Sequence, residues 1–197
     1  MAKSNLSKVF LSASIPSPER DKKFYDTADI VSIRDAIRAL ATVVIPRAHL
    51  VWGGHPSITP LIRFVVERMN VDCKEHITLY QSLFFKDKFP LDNFAFENIV
   101  LIERKSTREE SLELMRYKLI NDNDFKVGLF IGGMEGVAEE YLMFRERHPN
   151  ALILPVASTG AAAKILYDNQ PCSYDIRLKN DYAYMALFRD LIGSYIK

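Results

Sequence analysis

The residues with the clearest chemical potential are two carboxylates that follow a glycine pair. Gly132 and Gly133 end an apolar run, and Glu139 and Glu140 come soon after, in a stretch of helical composition. Glycines let a backbone approach a ligand closely, and the amides at the start of a helix favour an anion. A carboxylate beside such a site can bind ribose hydroxyls or act as an acid or base. The helix dipole alone also explains glutamates near a helix start, so the pattern leaves both interpretations open.

Three further turns place small or hydroxyl residues directly after apolar runs. If these runs are parallel strands, their ends lie along one edge of a sheet, and the turns contribute to the same ligand crevice. Each turn also has a simpler explanation, since a glycine pair makes a tight turn and Ser158 or Thr159 is a natural helix cap. The candidate ligand-binding residues in these turns are Ser12, Ser14, Gly53, Gly54, His55, Ser158, Thr159 and Gly160.

The elements that must position these residues alternate along the chain. Strands are predicted at residues 8–12, 50–52, 76–80, 99–102, 127–131 and 152–156, and helices at residues 30–44, 58–69, 107–120, 137–147, 160–167 and 181–195. This alternation predicts an α/β fold, a Rossmann-like three-layer sandwich with a mainly parallel central sheet flanked by helices. Residues 81–98 are irregular and rich in phenylalanine, which indicates a loop pinned by buried aromatics or a cover over a ligand.

Composition limits the other classes of function. The chain has 197 residues, 48% hydrophobic and 26% charged, with a net charge of +1. We therefore expect one globular domain over residues 1–197 that binds neither nucleic acid nor a membrane. The absence of a signal segment in the sequence favours the cytoplasm. Cys73, Cys172 and the four histidines show no ligand spacing, so the sequence predicts reduced thiols, no metal site and no cofactor.

The second glycine turn also carries a family resemblance. It resembles a degenerate form of the PGGxGTxEE signature of the LOG, or lysine decarboxylase-like, branch of the SLOG superfamily. The matching residues are Gly132, Gly133, Gly136, Glu139 and Glu140, with Arg116 at the position of the arginine in the preceding helix and Gly53 and Gly54 similar to an earlier glycine turn. The likeness spans residues 9–167. Ile131, Val137 and Tyr117 replace the proline, the phosphate-binding threonine and the lysine of the pattern.

The resemblance implies a ligand class more firmly than a reaction. LOG enzymes are phosphoribohydrolases that cut the bond between a base and ribose 5'-phosphate, whereas other SLOG members sense nucleotides, including cyclic ADP-ribose-like signals in antiphage defence. We therefore expect a sensor module that binds a nucleotide or an NAD- or ADP-ribose-derived molecule. In this hypothesis backbone amides and Arg116 hold phosphate, Glu139 or Glu140 holds ribose, and Trp52 or Tyr141 packs near the base.

Two alternatives to a sensor stay open. The first is an N-glycosidase acting on a nucleotide, nucleoside or NAD, with Glu139, Glu140 and Arg116 as its catalytic residues. The second is a mainly structural role, in which residues 84–96 or the terminal helix form a contact surface. Because related proteins are commonly oligomers, the resemblance also implies a homo-oligomer, a dimer or higher.

Overall fold

A six-stranded parallel sheet forms the centre of the protein. The computed structural model describes residues 6–69 and 74–196, so Cys73 lies outside the described residues. The strands run in the order β4-β3-β2-β1-β5-β6, and every described pairing is parallel. They are β1 Lys8–Ser14, β2 His49–Trp52, β3 Ile77–Ser82, β4 Ile99–Ile102, β5 Phe125–Gly132 and β6 Leu152–Val156. The predicted Rossmann-like α/β fold is confirmed.

Helices cover both faces of this sheet. They are α1 Lys22–Tyr25, α2 Ile30–Val44, α3 Thr59–Val66, α4 Arg108–Asn121, α5 Glu135–Arg147, α6 Ala161–Asn169, α7 Arg177–Asn180 and α8 Tyr184–Ile192. Helices α2, α3 and α8 contribute to the core on one face, and α4, α5 and α6 contribute to the core on the other. The irregular segment at residues 81–98 holds two short 3₁₀ helices, Leu83–Lys88 and Leu91–Ala95. None of the described helices is long and apolar enough to cross a membrane.

Successive side chains of the central strands point to opposite faces of the sheet and so contribute to both hydrophobic cores. Val9 and Leu11 of β1 point to one face, while Phe10 points to the other. There the Phe10 ring stacks on Phe144 of α5, with 5.2 Å between the ring centroids. Gly128 of β5 leaves room for the same ring, since a Cβ atom there would lie 2.7 Å from Phe144. This close contact fixes α5 against β1 and β5.

The strand order creates a switch point between β1 and β5. From β1 the chain builds outward to β2, β3 and β4, and it then crosses through α4 to β5 on the other side of β1. Ligands of open α/β sheets bind at the carboxyl ends of the strands beside such a point. Both strands are longer than the sequence predicts, because pairing continues to Ser14 opposite Gly132.

Candidate functional site

A cavity of about 820 Å³ opens at the carboxyl ends of the strands near the switch point. Its walls are formed by the loops after β1 and β2, the segment after β3, helix α4 and the first turns of α5. The structure brings eight of the predicted site residues to this cavity. They are Ser14, Gly53, Gly54, His55, Arg116, Gly136, Glu139 and Glu140.

A network of one arginine, two glutamates and one serine lies at the wall formed by α4 and α5. The Arg116 guanidinium donates through Nη1 to Glu139 and through Nε to Glu140, the latter at 3.4 Å. The Ser12 hydroxyl donates to the second oxygen of Glu140 at 2.5 Å. The side chains of Arg116 and Glu140 are only 16% and 15% exposed, whereas Glu139 is 56% exposed. The network therefore joins β1, α4 and α5 around one largely buried carboxylate.

The environment of Glu140 changes its acidity. Burial raises the pKa of the Glu140 carboxyl, and the Arg116 charge and the Ser12 hydrogen bond counteract this shift only in part. A carboxyl with a raised pKa exchanges a proton closer to neutral pH than an ordinary glutamate does. Glu140 therefore lines the cavity and has a raised pKa, which suits a residue that donates or accepts a proton.

Gly136 lets the guanidinium of Arg116 lie against the first turn of α5. A Cβ atom at position 136 would stand 2.6 Å from Nη2 of Arg116. No side chain caps the start of α5, and the first amides of a helix have no intrahelical partner. The glycine therefore brings a cation and a helix N-terminus together at the cavity wall.

The Gly132-Gly133 turn does not line the cavity but lies next to residues that do. Both residues have positive φ angles, +56° and +86°. The Gly132 amide donates to the Thr159 hydroxyl at 2.9 Å, and the Gly133 amide donates to the Ser14 carbonyl at 2.8 Å. Both amides are therefore engaged within the protein, and the role of backbone amides in holding phosphate stays a prediction.

The turn after β6 is likewise structural. Ser158 lies 3.0 Å from the Tyr184 hydroxyl, Thr159 donates to the Val156 carbonyl at 2.6 Å, and none of the three predicted residues lines the cavity. A Cβ atom at Gly160 would stand 1.8 Å from the Thr27 carbonyl oxygen. The prediction that Ser158 or Thr159 caps the next helix is also wrong, because Gly160 holds the N-cap position of α6.

The loop after β2 contributes a neutral imidazole. The Ser57 amide donates to Nδ1 of His55 at 3.3 Å. Displacement of water by the surrounding loops, together with the Arg20 charge, lowers the pKa of His55 to about 4, although the residue itself is exposed. Because Nδ1 accepts a hydrogen bond, the neutral ring carries its proton on Nε2 and can donate from there.

Several cavity residues were not predicted as ligand contacts from the sequence. Arg20 follows β1 in a loop without a motif, and Lys88, Phe85 and Phe89 lie in the irregular segment after β3. The density of phenylalanines in that segment was the one available signal. Of the two aromatics expected near the base, Trp52 lines the cavity, whereas the hydroxyl of Tyr141 pairs with that of Tyr174 at 2.5 Å, away from it.

Comparisons with known proteins agree with this architecture. A family model described as the SLOG cluster3 family matches residues 23–192. The X-ray structure of TM1055, a structural genomics target, superposes with a TM-score of 0.52 at 14% identity, covering 82% of this chain and 81% of that one. This identity supports a shared fold alone. A search of curated protein sequences found no significant match.

Proposed function

Because the chain belongs to the SLOG cluster3 family, we propose that its cavity binds a nucleotide or an NAD- or ADP-ribose-derived molecule and that the protein acts as a sensor. The observation that carries this proposal is the Arg116–Glu140–Ser12 network, which faces a large cavity at the switch point of the sheet. Burying charged groups has a desolvation cost, and charged groups with shifted pKa values in a cleft are concentrated at functional sites.

The dimensions and lining of the cavity suit such a ligand. Its volume falls within the range of roughly 300–1,000 Å³ that is usual for small-molecule sites. Phe85 and Phe89 supply aromatic surface for a base beside the nearly buried Trp52, and the carboxylates of Glu139 and Glu140 are acceptors for ribose hydroxyls. Aromatic surface beside a few fixed polar groups is the usual composition of a cofactor or nucleotide pocket.

Thermal-shift measurements test this proposal directly. The parent protein is screened with adenine nucleotides, NAD, ADP-ribose and cyclic ADP-ribose isomers, since a ligand that binds only the folded state raises Tm. We expect at least one of them to stabilise the parent and Arg116→Met to abolish the shift. Tyr117→Phe, at an exposed neighbour on α4, should keep it. No shift with any of these compounds would overturn the proposal.

The second candidate function is N-glycoside hydrolysis, and the raised pKa of Glu140 is the observation that favours it. Cleavage of a base–ribose bond develops positive charge on the sugar, which a fixed carboxylate stabilises. A carboxyl that holds its proton to higher pH can also protonate the departing base. In this alternative Glu140 and Glu139 act on the sugar, and Arg116 keeps both in place.

Chromatography separates the two functions. The parent is incubated with nucleotides, nucleosides and NAD, and the freed base is measured. Hydrolysis that falls at least about a hundredfold in Glu140→Gln, a loss typical of a removed acid or base, would identify an enzyme. Ligand binding by the parent without released base would identify a sensor.

The proposal also covers the location, the oligomeric state and the cellular role of the protein. We propose a cytoplasmic protein that works as a homo-oligomer and responds to a nucleotide signal in antiphage defence. The support for this setting is the resemblance to sensor members of the superfamily, together with an exposed apolar sheet edge.

A further inference from the structure

The charged groups that line the cavity are divided between its two sides. Helices α4 and α5 contribute five carboxylates and two guanidinium groups, from Arg108, Glu109, Glu113, Arg116, Glu135, Glu139 and Glu140. The loop after β1 and the segment after β3 contribute Arg20 and Lys88, with no carboxylate among the described residues that line the cavity there. The cavity therefore has an acidic helix side and a basic loop side.

The cations on the helix side are already compensated. Arg116 donates to both Glu139 and Glu140, and Arg108 lies 3.4 Å from its neighbour Glu109. Glu135 occupies the first position of α5, where its charge already offsets the helix dipole. A phosphate placed on this side would meet a surplus of carboxylates.

The loop side has the opposite character. Within residues 6–69 and 74–196, neither Arg20 nor Lys88 has an ion-pair or hydrogen-bond partner for its side chain. His55 lines the cavity and lies close enough to Arg20 for that charge to lower the pKa of the ring. Two uncompensated cations and one neutral donor thus line the cavity from the loops after β1, β2 and β3.

We infer that the phosphate groups of the ligand bind Arg20, His55 and Lys88 on the loop side, while its ribose binds the Glu139–Glu140 side. This inference rests on the proposed function, which it deepens by fixing the orientation of the ligand. It also names the ligand class: a nucleoside phosphate whose 2'- and 3'-hydroxyls are free to meet carboxylates and whose phosphate extends away from α5.

The orientation explains two features of the glycine turn. Val137 supplies no hydroxyl to an anion, and the amides of Gly132 and Gly133 are engaged by Thr159 and Ser14. Neither feature matters for a ligand whose phosphate lies at the other side of the cavity. Gly132 and Gly133 instead allow close packing against Ile33, the Ser14 carbonyl and Val137.

Calorimetric titration of two ligands into matched variants tests the inference. ADP-ribose and adenosine are titrated into the parent, Arg20→Gln, Lys88→Gln and the double variant. Removing a charge-assisted contact should weaken ADP-ribose binding about tenfold for each substitution, while adenosine binding stays unchanged. The salt dependence of ADP-ribose binding should also decrease, because fewer ions pair with the phosphates.

Lys86→Gln is the matched control, since Lys86 is an exposed lysine of the same segment that does not line the cavity. It should bind ADP-ribose like the parent. Unchanged ADP-ribose affinity in the double variant would overturn the inference and leave the proposed function intact. An equal loss for adenosine would also overturn it. A parent that binds neither ligand would reject both proposals.

Discussion

Arg116 is the residue that joins the separate parts of the candidate site. It lies on α4, yet its guanidinium contacts two carboxylates of α5, one of which is bonded to Ser12 of β1. The motif resemblance predicted the arginine and the glutamates, but no sequence pattern predicted Arg20 or Lys88 as contacts. Their role depends on which loops meet at one edge of the sheet and on which cations remain uncompensated, and neither property is visible in local spacing.

Gly136→Ala should weaken ligand binding without lowering the stability of the protein. The new Cβ atom would stand 2.6 Å from Nη2 of Arg116 and displace the guanidinium. Alanine is favoured over glycine in a helix by up to about 1 kcal/mol, and this gain offsets the cost of the close contact with Arg116. Parallel measurements of Tm and ligand affinity check this, with Tyr117→Phe as the control. Unchanged affinity would show that the position of the guanidinium does not matter.

Glu140→Gln should change the pH dependence of stability. Burial raises the pKa of Glu140, so the folded protein holds this proton more tightly than the unfolded chain does. The stability contributed by the protonated carboxyl is present below the ordinary glutamate pKa and is lost as the pH rises through the raised pKa. The parent should therefore lose stability relative to Glu140→Gln from about pH 4 upward, in urea unfolding measured at several pH values.

The comparison that isolates this effect is Glu140→Asp, which keeps a titratable carboxyl at this position. It should follow the pH dependence of the parent more closely than the glutamine variant does. A constant difference between the parent and Glu140→Gln at every pH would show that the acidity of Glu140 is the same in the folded and unfolded states.

At the scale of elements, regular periodicity was the most informative signal. The spacing of Ile30, Ile33 and Ile37 predicted α2 with the bounds that the structure shows, Ile30–Val44. The start of α5 is harder to predict, because Met134 at its N-cap position provides no capping side chain that would mark it. The helix begins at Glu135, two residues before the predicted start. The helices α1 and α7 have only four residues each, too few to show a period.

Contacts between elements account for the errors in the site. The hydroxyl of Thr159 suggested a helix cap, and in the structure it bonds to the backbone of Gly132 and Val156. A helix cap and a bond to a neighbouring strand both require a hydroxyl residue directly after a strand, so the sequence alone does not separate the two roles. The choice depends on a neighbouring strand 27 residues away along the chain.

Thr159→Val should destabilise the turn that supports the cavity. Valine has the same shape but leaves the Gly132 amide and the Val156 carbonyl without their buried partner, at a cost of about 1–3 kcal/mol. Thr159→Ser retains the hydroxyl and should lose much less stability. Urea unfolding of the two variants gives both free energies of unfolding. Equal stability in both variants would mean that this hydroxyl does not hold the turn.

At the scale of the whole molecule, the two edges of the sheet differ. Strand β6 contains Pro155, which disfavours pairing with another strand. Strand β4, Ile99–Ile102, is apolar throughout, carries neither proline nor lysine, and has Leu101 54% exposed. Among the described strands it pairs only with β3. An unblocked apolar edge of this kind invites pairing with a further strand.

A second copy of the chain presents the same apolar edge, so we expect a two-fold dimer in which the β4 strands pair antiparallel. Light scattering should then report a dimer for the parent and a monomer for Leu101→Lys, because lysine opposes pairing at an edge. Ile176→Lys, at an exposed residue beside α7, should remain dimeric. A monomeric parent would reject the dimer. A dimer that survives Leu101→Lys and dissociates with Ile176→Lys would move the contact surface away from β4 and toward the terminal helices.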